Sequence, residues 1–339
     1  MAMIKRLDAF IKKYMPAIIL AVLVFGYWIG LQLDRAQIHF IKASILPSVI
    51  IMIYAMLITM RMDELKNAFI YPKGMIYGSI LSLLVAPLLM IPVATVFTKN
   101  PNLYTGLLLA SIVPPGGMIT YWTGILGANI GLATAIQTVT LLVSIIWVPL
   151  GMKLFVGSRV DVHTTTLLIK IIVMVVIPLV LAYLTQKAVS KKYTWKGIVK
   201  IMPISHLISS LLALYMVFVA MSVQAHLIYR EPGLIIFPAL GMLIYYGVAY
   251  PFSYYFAIKI LKEPHEKAIP ITYGFSTKNL SIAMGLAIAA FGPMALLGVV
   301  PCMLFQMPFA SIWYKLFSKF AERNKQDAIL ETNINSEGA

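Results

Sequence analysis

Apolar residues run through this chain in long, nearly continuous stretches, without the two-residue alternation of a half-buried strand or the one-sided stripe of a surface helix. A helix needs roughly 20 apolar residues to cross a hydrocarbon core of about 30 Å. Runs of that order, bounded by charge, proline or glycine, predict ten spans at 15–31, 45–60, 75–97, 104–126, 128–148, 164–183, 201–223, 234–258, 268–291 and 293–313. The connections are too short for a soluble domain. The first run has a basic flank and lacks a small-residue cleavage site, so it reads as a retained span. The polar stretch 319–339 cannot bury a core and reads as a disordered tail.

Composition agrees with lipid as the solvent: 60% of the 339 residues are hydrophobic and 12% charged. A net charge of +15 in a soluble protein would point to nucleic acid, but here the basic residues sit in short connections between apolar runs, so no nucleic-acid partner is expected. Sorted by side of the membrane, 19 of the 27 lysines and arginines fall with the two termini, 6 fall opposite, and Lys170 and Lys278 lie within spans. Positive residues in short loops stay cytoplasmic, which places both termini in the cytoplasm. A prokaryotic plasma membrane is the expected location.

Ten spans divide into two units of five, here 1–158 and 159–318, and tandem units of odd span number insert with opposite topology. Spans four and nine hold corresponding positions, and each is interrupted near mid-membrane. Span four carries Val113-Pro114-Pro115-Gly116-Gly117, and span nine carries Gly274-Phe275-Ser276-Thr277-Lys278-Asn279. Irregular backbone at that depth persists only where it is buried in protein or lines a cavity. The expected fold is therefore an all-α membrane protein of ten helices in two inverted five-helix repeats, its broken fourth and ninth helices crossing at a site.

All 12 acidic residues lie in predicted loops or tails, which removes intramembrane aspartyl chemistry and any carboxylate relay within the spans. There is no G-x-S-x-G, H-E-x-x-H or phosphate-loop motif, so neither an enzyme nor an ATP-driven pump is indicated, and no cofactor or metal is expected. The single cysteine, Cys302, cannot form an internal disulfide. Lys278 lies about 11 residues into span nine, roughly 16 Å deep, too far to snorkel easily. It reads as a proton carrier or as a counter-charge for an anionic solute, against the alternative of a lysine that only fixes the break. Lys170, about two turns into span six, is expected to stretch to the interface. The prolines at 114 and 115 remove helical donors, and Gly116 and Gly117 admit close approach of a solute or helix. Amides opening the half-helix beyond them could hold an anion. Thr120, Tyr121, Gln137 and Thr138 could face the same cavity, with Ser276, Thr277, Asn279 and Ser281 opposite. Tyr245, Tyr246, Tyr254 and Tyr255 in span eight read as lipid-facing or packing groups.

Four stretches, IIMIYAMLITMRMDELKNAF, LSLLVAPLLMIPVATVF, LYTGLLLASIVPPGGMITYWTGILGANIGLATAI and STKNLSIAMGLAIAAFG, resemble the bile acid:sodium symporter superfamily, and in particular its arsenite efflux permeases. The resemblance implies ten helices in two inverted repeats with helices four and nine broken and crossing. It also implies functional positions at which this chain departs. The arsenite permeases' cysteine in span four aligns with Pro115 and their span-nine glutamate with Ser281. The cation-site positions of the sodium-coupled members align with Thr120, Tyr121, Ala133, Gln137, Gly274 and Lys278. Sodium prefers several oxygen ligands and is repelled by an ammonium. The expectation is a secondary transporter of a small anionic solute that is not sodium-coupled, driven by protons or uncoupled. Arsenite efflux is one alternative and a membrane ligand sensor without transport is another.

Overall fold

The computed structural model describes residues 2–59, 70–160 and 164–337, with 2, 5, 9, 12, 13, 164, 190–196 and 321–337 described by backbone alone. Much of the predicted basic loop between spans two and three, and Asp161, lie outside the described residues. Thirteen α-helices with no strand make up the described chain. They are α1 (Ala2–Gly30), α2 (Arg35–Leu57), α3 (Pro72–Ile80), α4 (Ala86–Phe97), α5 (Pro101–Ile112), α6 (Met118–Ile125), α7 (Ile130–Val156), α8 (Thr164–Ile171), α9 (Ile177–Arg230), α10 (Gly233–Tyr255), α11 (His265–Ser276), α12 (Leu280–Leu286) and α13 (Pro293–Glu337). Four π-helical turns join or extend them at Leu81–Val85, Ile172–Val176, Phe256–Ile260 and Ala287–Phe291.

Among the described residues seven helical stretches are long and apolar enough to cross a membrane, where the sequence predicts ten. The difference lies in predicted spans one, four and nine. Tyr14–Gly30 is a shorter apolar helix. Predicted span four is divided into α5 and α6, and span nine into α11 and α12, so neither fragment of a pair meets the length of a crossing helix. The exterior is apolar, with Val24 68%, Ile146 66% and Leu154 69% exposed, as suits a lipid environment.

Local chemistry accounts for the helix boundaries. Asp34 and Gln37 form a capping box that starts α2 at Arg35, ten residues before the apolar run that predicts the span. Asn100 and Asn129 cap α5 and α7 by accepting backbone N–H groups with their side chains. The polar stretch expected to be disordered continues α13 to Glu337, and its Ala, Glu, Arg, Lys and Gln content is that of a good helix former.

The 54 residues of α9 would reach about 80 Å if straight. Yet Tyr54 of α2 hydrogen-bonds Thr185 at 3.0 Å, while Ser44 of the same helix bonds Tyr215. Positions 44 and 54 are about 15 Å apart on α2. The two apolar limbs of α9, Thr165–Val189 with α8 and Gly197–Arg230, therefore double back beside α2. In one group of helices α1 and α2 pack on α9; in the other α3 to α7 pack with α10 to α13, and α10, α12 and α13 also touch the first group.

Small residues set the closest crossing. A Cβ on Gly106 of α5 would stand 2.0 Å from the Ala295 carbonyl oxygen of α13, and one on Gly298 would stand 2.5 Å from the Leu103 carbonyl oxygen. Both obstacles are backbone and cannot rotate away. Gly106→Ala is therefore expected to destabilise the fold by about 1–3 kcal/mol, read as a lowered unfolding temperature in detergent. Gly117→Ala, whose added Cβ meets nothing within 4 Å, should leave that temperature unchanged.

Candidate functional site

The gap between α5 and α6 and the gap between α11 and α12 meet. The backbone N–H of Asn279 donates to the Pro114 carbonyl at 2.9 Å, and Gly116 lies against Asn279 closely enough that an added Cβ would sit 3.5 Å from its Cα. Pro114, Pro115, Gly116, Ser276, Thr277, Lys278 and Asn279 are all buried. The Pro114 carbonyl, beyond the end of α5 and outside any helical ladder, thus gains a donor from the opposite break.

Gln306 of α13 holds the break at Lys278 on both edges. Its Oε1 accepts the Lys278 N–H at 2.8 Å and its Nε2 donates to the Lys278 carbonyl at 3.1 Å. The Tyr246 hydroxyl donates to the Cys302 carbonyl at 3.3 Å and reaches Gln306 Oε1 at 3.5 Å. Gln306 was not among the residues singled out from the sequence. A lone amide in the apolar run MLFQMPF was the available signal, overshadowed by the charged residues.

The Lys278 side chain leaves the break and runs to predicted span three. Its ammonium donates to the Ser82 hydroxyl at 2.8 Å and to the Ser82 carbonyl. That carbonyl is open because the chain there forms a π-turn: the Ala86 N–H, four residues on, bonds Leu81, and Pro87, five residues on, has no N–H. Pro87 also removes the α-helical donor of Leu83, whose carbonyl takes the Trp147 indole N–H at 2.7 Å. Among the described residues no carboxylate pairs with Lys278.

The remaining predicted residues are not gathered equally. Thr277 turns its hydroxyl back to the Tyr273 carbonyl at 2.6 Å, and Asn279 caps α12 by accepting the Ile282 N–H. Ser276 keeps a buried hydroxyl with no partner among the described residues. Gly274 packs against Ile119 and Ile136, tying α11 to α6 and α7. Gln137 and Thr138 are buried on α7, with the Thr138 hydroxyl bonded to the Thr134 carbonyl. Ser281 is half-buried. Thr120 folds its hydroxyl onto the Gly117 carbonyl, and Tyr121 is 54% exposed with its ring against Trp122, so neither is brought to the break of span nine.

One expectation changes. Lys170 does not stretch outward: its ammonium donates to the Ala289 carbonyl, which Pro293, four residues on, deprives of a helical donor. Of the span-eight tyrosines, expected to pack or to face lipid, Tyr245 and Tyr246 are core residues at 2% exposure and Tyr255 is 61% exposed. Behind the breaks an aromatic seam joins α6, α10, α11 and α13. Trp122 stacks on Tyr273 at 5.9 Å, Tyr250 stacks on Trp313 at 5.9 Å, and the Tyr273 hydroxyl donates to the Ala310 carbonyl at 3.0 Å. Cys302 is buried with its Sγ 3.3 Å from Met242 Sδ, directed at α10 and not at the breaks.

Removing the Gln306 side chain would leave a buried N–H and a buried carbonyl unpaired at the break. Gln306→Ala is expected to cost about 2–4 kcal/mol, measured by thermal unfolding, with faster amide exchange at 277–280 than in the rest of α11 and α12.

Comparison with known proteins places these features. Residues 46–231 match the model of the Sodium Bile acid symporter family. The chain is 25% identical to an uncharacterised sodium-dependent transporter, YocS, of Bacillus subtilis over 78% of each chain. It is 24% identical to the arsenical-resistance protein Acr3 of Corynebacterium glutamicum, over 84% of this chain and 82% of that one. The Bacillus subtilis protein YbaS is 26% identical over 66% of this chain and 72% of its own. With a match spanning more than half its length and apolar helices suited to a bilayer, this chain belongs to the Sodium Bile acid symporter family of integral membrane transporters.

Proposed function

We propose that the chain moves a small anionic solute by alternating access, with Lys278 as a built-in positive charge where sodium-coupled relatives hold a cation. The observation that carries this reading is the Lys278 ammonium, buried at the meeting of the two breaks and held by Ser82 without a carboxylate. Intramembrane ionisable groups mark solute and ion pathways. An ammonium fixed there repels sodium, so transport is sodium-independent and is either proton-coupled or uncoupled. The buried Ser276 hydroxyl is available to a solute beside it.

In this reading the chain has ten spans, in two inverted units at 1–158 and 159–318, with both termini cytoplasmic in a prokaryotic plasma membrane. Spans four and nine are the broken pair. Support comes from repeated local features. A left-handed glycine, Gly127 (φ 63°) or Gly292 (φ 87°), follows each broken span, and a π-turn occurs in each of the equivalent spans three and eight. The packing of α1 and α2 on α9, more extensive than that of these helices on the rest, supplies a body that can move against the others.

A second reading, arsenite efflux, is favoured by the similarity to Acr3 proteins. Against it, Pro115 stands where those permeases have their cysteine, and Cys302 faces Met242.

Both readings are tested in proteoliposomes loaded with organic anions or arsenite, with and without sodium and at several pH values. Organic-anion flux indifferent to sodium is expected. Lys278→Gln should lower it about tenfold or more, the scale of losing a charge-assisted bond worth about 1.5–3 kcal/mol. Sodium-dependent flux, or full flux with unchanged pH dependence in Lys278→Gln, would sink the proposal. If arsenite is carried instead, Cys302→Ser should leave its flux unchanged, because the thiol lies away from the breaks.

A further inference from the structure

Two cations that the transport reading does not use line one groove. It has a volume of about 490 Å³, within the roughly 300–1,000 Å³ of small-molecule sites. Its walls come from α2, from α8 with the π-turn after it, and from the junction of α12 with α13. Apart from Lys42 and Lys170 the lining is apolar, including Leu46, Ile169, Val173 and Pro293.

The two lysines are placed for an anion. Lys42 is exposed and makes no hydrogen bond or ion pair among the described residues. Lys170 spends one of its three donors on the Ala289 carbonyl, which fixes the ammonium in the groove and leaves two donors free. Each lies about 10 Å from the start of its helix. No acidic residue lines the groove, so the pair is uncompensated within it. Leu46 and Ile169, 48% and 56% exposed, continue the apolar wall onto the lipid-facing surface.

We propose that this groove binds an anionic glycerophospholipid, its phosphate between Lys42 and Lys170 and one acyl chain along Leu46, Ile169 and Val173. Positive charge at one end of an apolar channel that opens toward lipid complements a molecule with a phosphate and a chain. A lipid seated there bridges α2 and α8 to the segment that follows the span-nine break. The site is independent of what the protein transports, and its test needs no solute.

The experiment uses the delipidated full chain in detergent, exposed to dioleoyl phosphatidylglycerol or dioleoyl phosphatidylcholine, with retained lipid counted by native mass spectrometry. Phosphatidylglycerol should be retained and phosphatidylcholine should not. K42Q and K170Q should each weaken retention about fivefold, as expected for one basic residue near anionic lipid. K42R should restore it. Because Lys42 holds no structural contact, K42Q separates lost binding from lost folding. Equal retention of the two lipids, or a K42Q/K170Q protein that keeps phosphatidylglycerol as the native chain does, overturns the proposal. Displacement of the lipid by equimolar oleate or inorganic phosphate overturns it too, assigning the groove to a free anion. A dimer that K42Q dissolves would assign it instead to a second copy of the chain.

Discussion

A lysine in an apolar interior without carboxylates must find acceptors in the backbone, and a helical carbonyl is free only where its own donor is missing. Proline creates that condition. Pro87, together with the π-turn before it, opens the Ser82 carbonyl to Lys278, and Pro293 opens the Ala289 carbonyl to Lys170. At the meeting of the breaks the chain has left α5, and the Pro114 carbonyl, outside any helix, takes the Asn279 N–H. Each exchange links distant parts of the chain: predicted span three to nine, six to nine, and four to nine. The second break is therefore a point on which these links converge, and its irregular backbone is tolerable because the peptide groups at Lys278 and Asn279 take partners from α13 and from the first break.

This has a consequence for how rigid the site is. Gln306 fastens both edges of the peptide at Lys278, and the aromatic seam from Trp122 to Trp313 backs it. By contrast, the Lys170 bond to Ala289 joins α8 to the segment after the break. A single charge-assisted bond of that kind is strong enough to bias a position and weak enough to be exchanged. A firm break with a lighter attachment to its neighbours suits a protein in which one group of helices moves against another.

Helix count and site membership were legible to different degrees. The apolar runs located every long helix, because lipid solvation demands about 20 apolar residues whatever the fold. Interruptions were also readable, at Val113 to Gly117 and at Gly274 to Asn279, since proline, glycine and a buried lysine are each costly in a lipid-embedded helix; the second is shorter than that, because α11 continues through Ser276. Thr120 and Tyr121 were not, because a short helix carries its residues around its axis and the sequence does not say which face turns to the other break. Gln306 was missed for a related reason: an amide in an apolar run signals a polar partner without naming it.

The sequence by itself determined that the chain is helical, that it lives in lipid, and that span nine carries a lysine. These follow from solvation free energies that act residue by residue. Only the tertiary structure decided that Lys278 turns to Ser82, that Lys170 is drawn inward to Ala289, that α9 doubles back beside α2, and that Gln306 clamps the break. Those outcomes depend on which carbonyls a proline has left open and on which helices lie within a side chain's reach, and both are settled by packing between segments far apart in the chain.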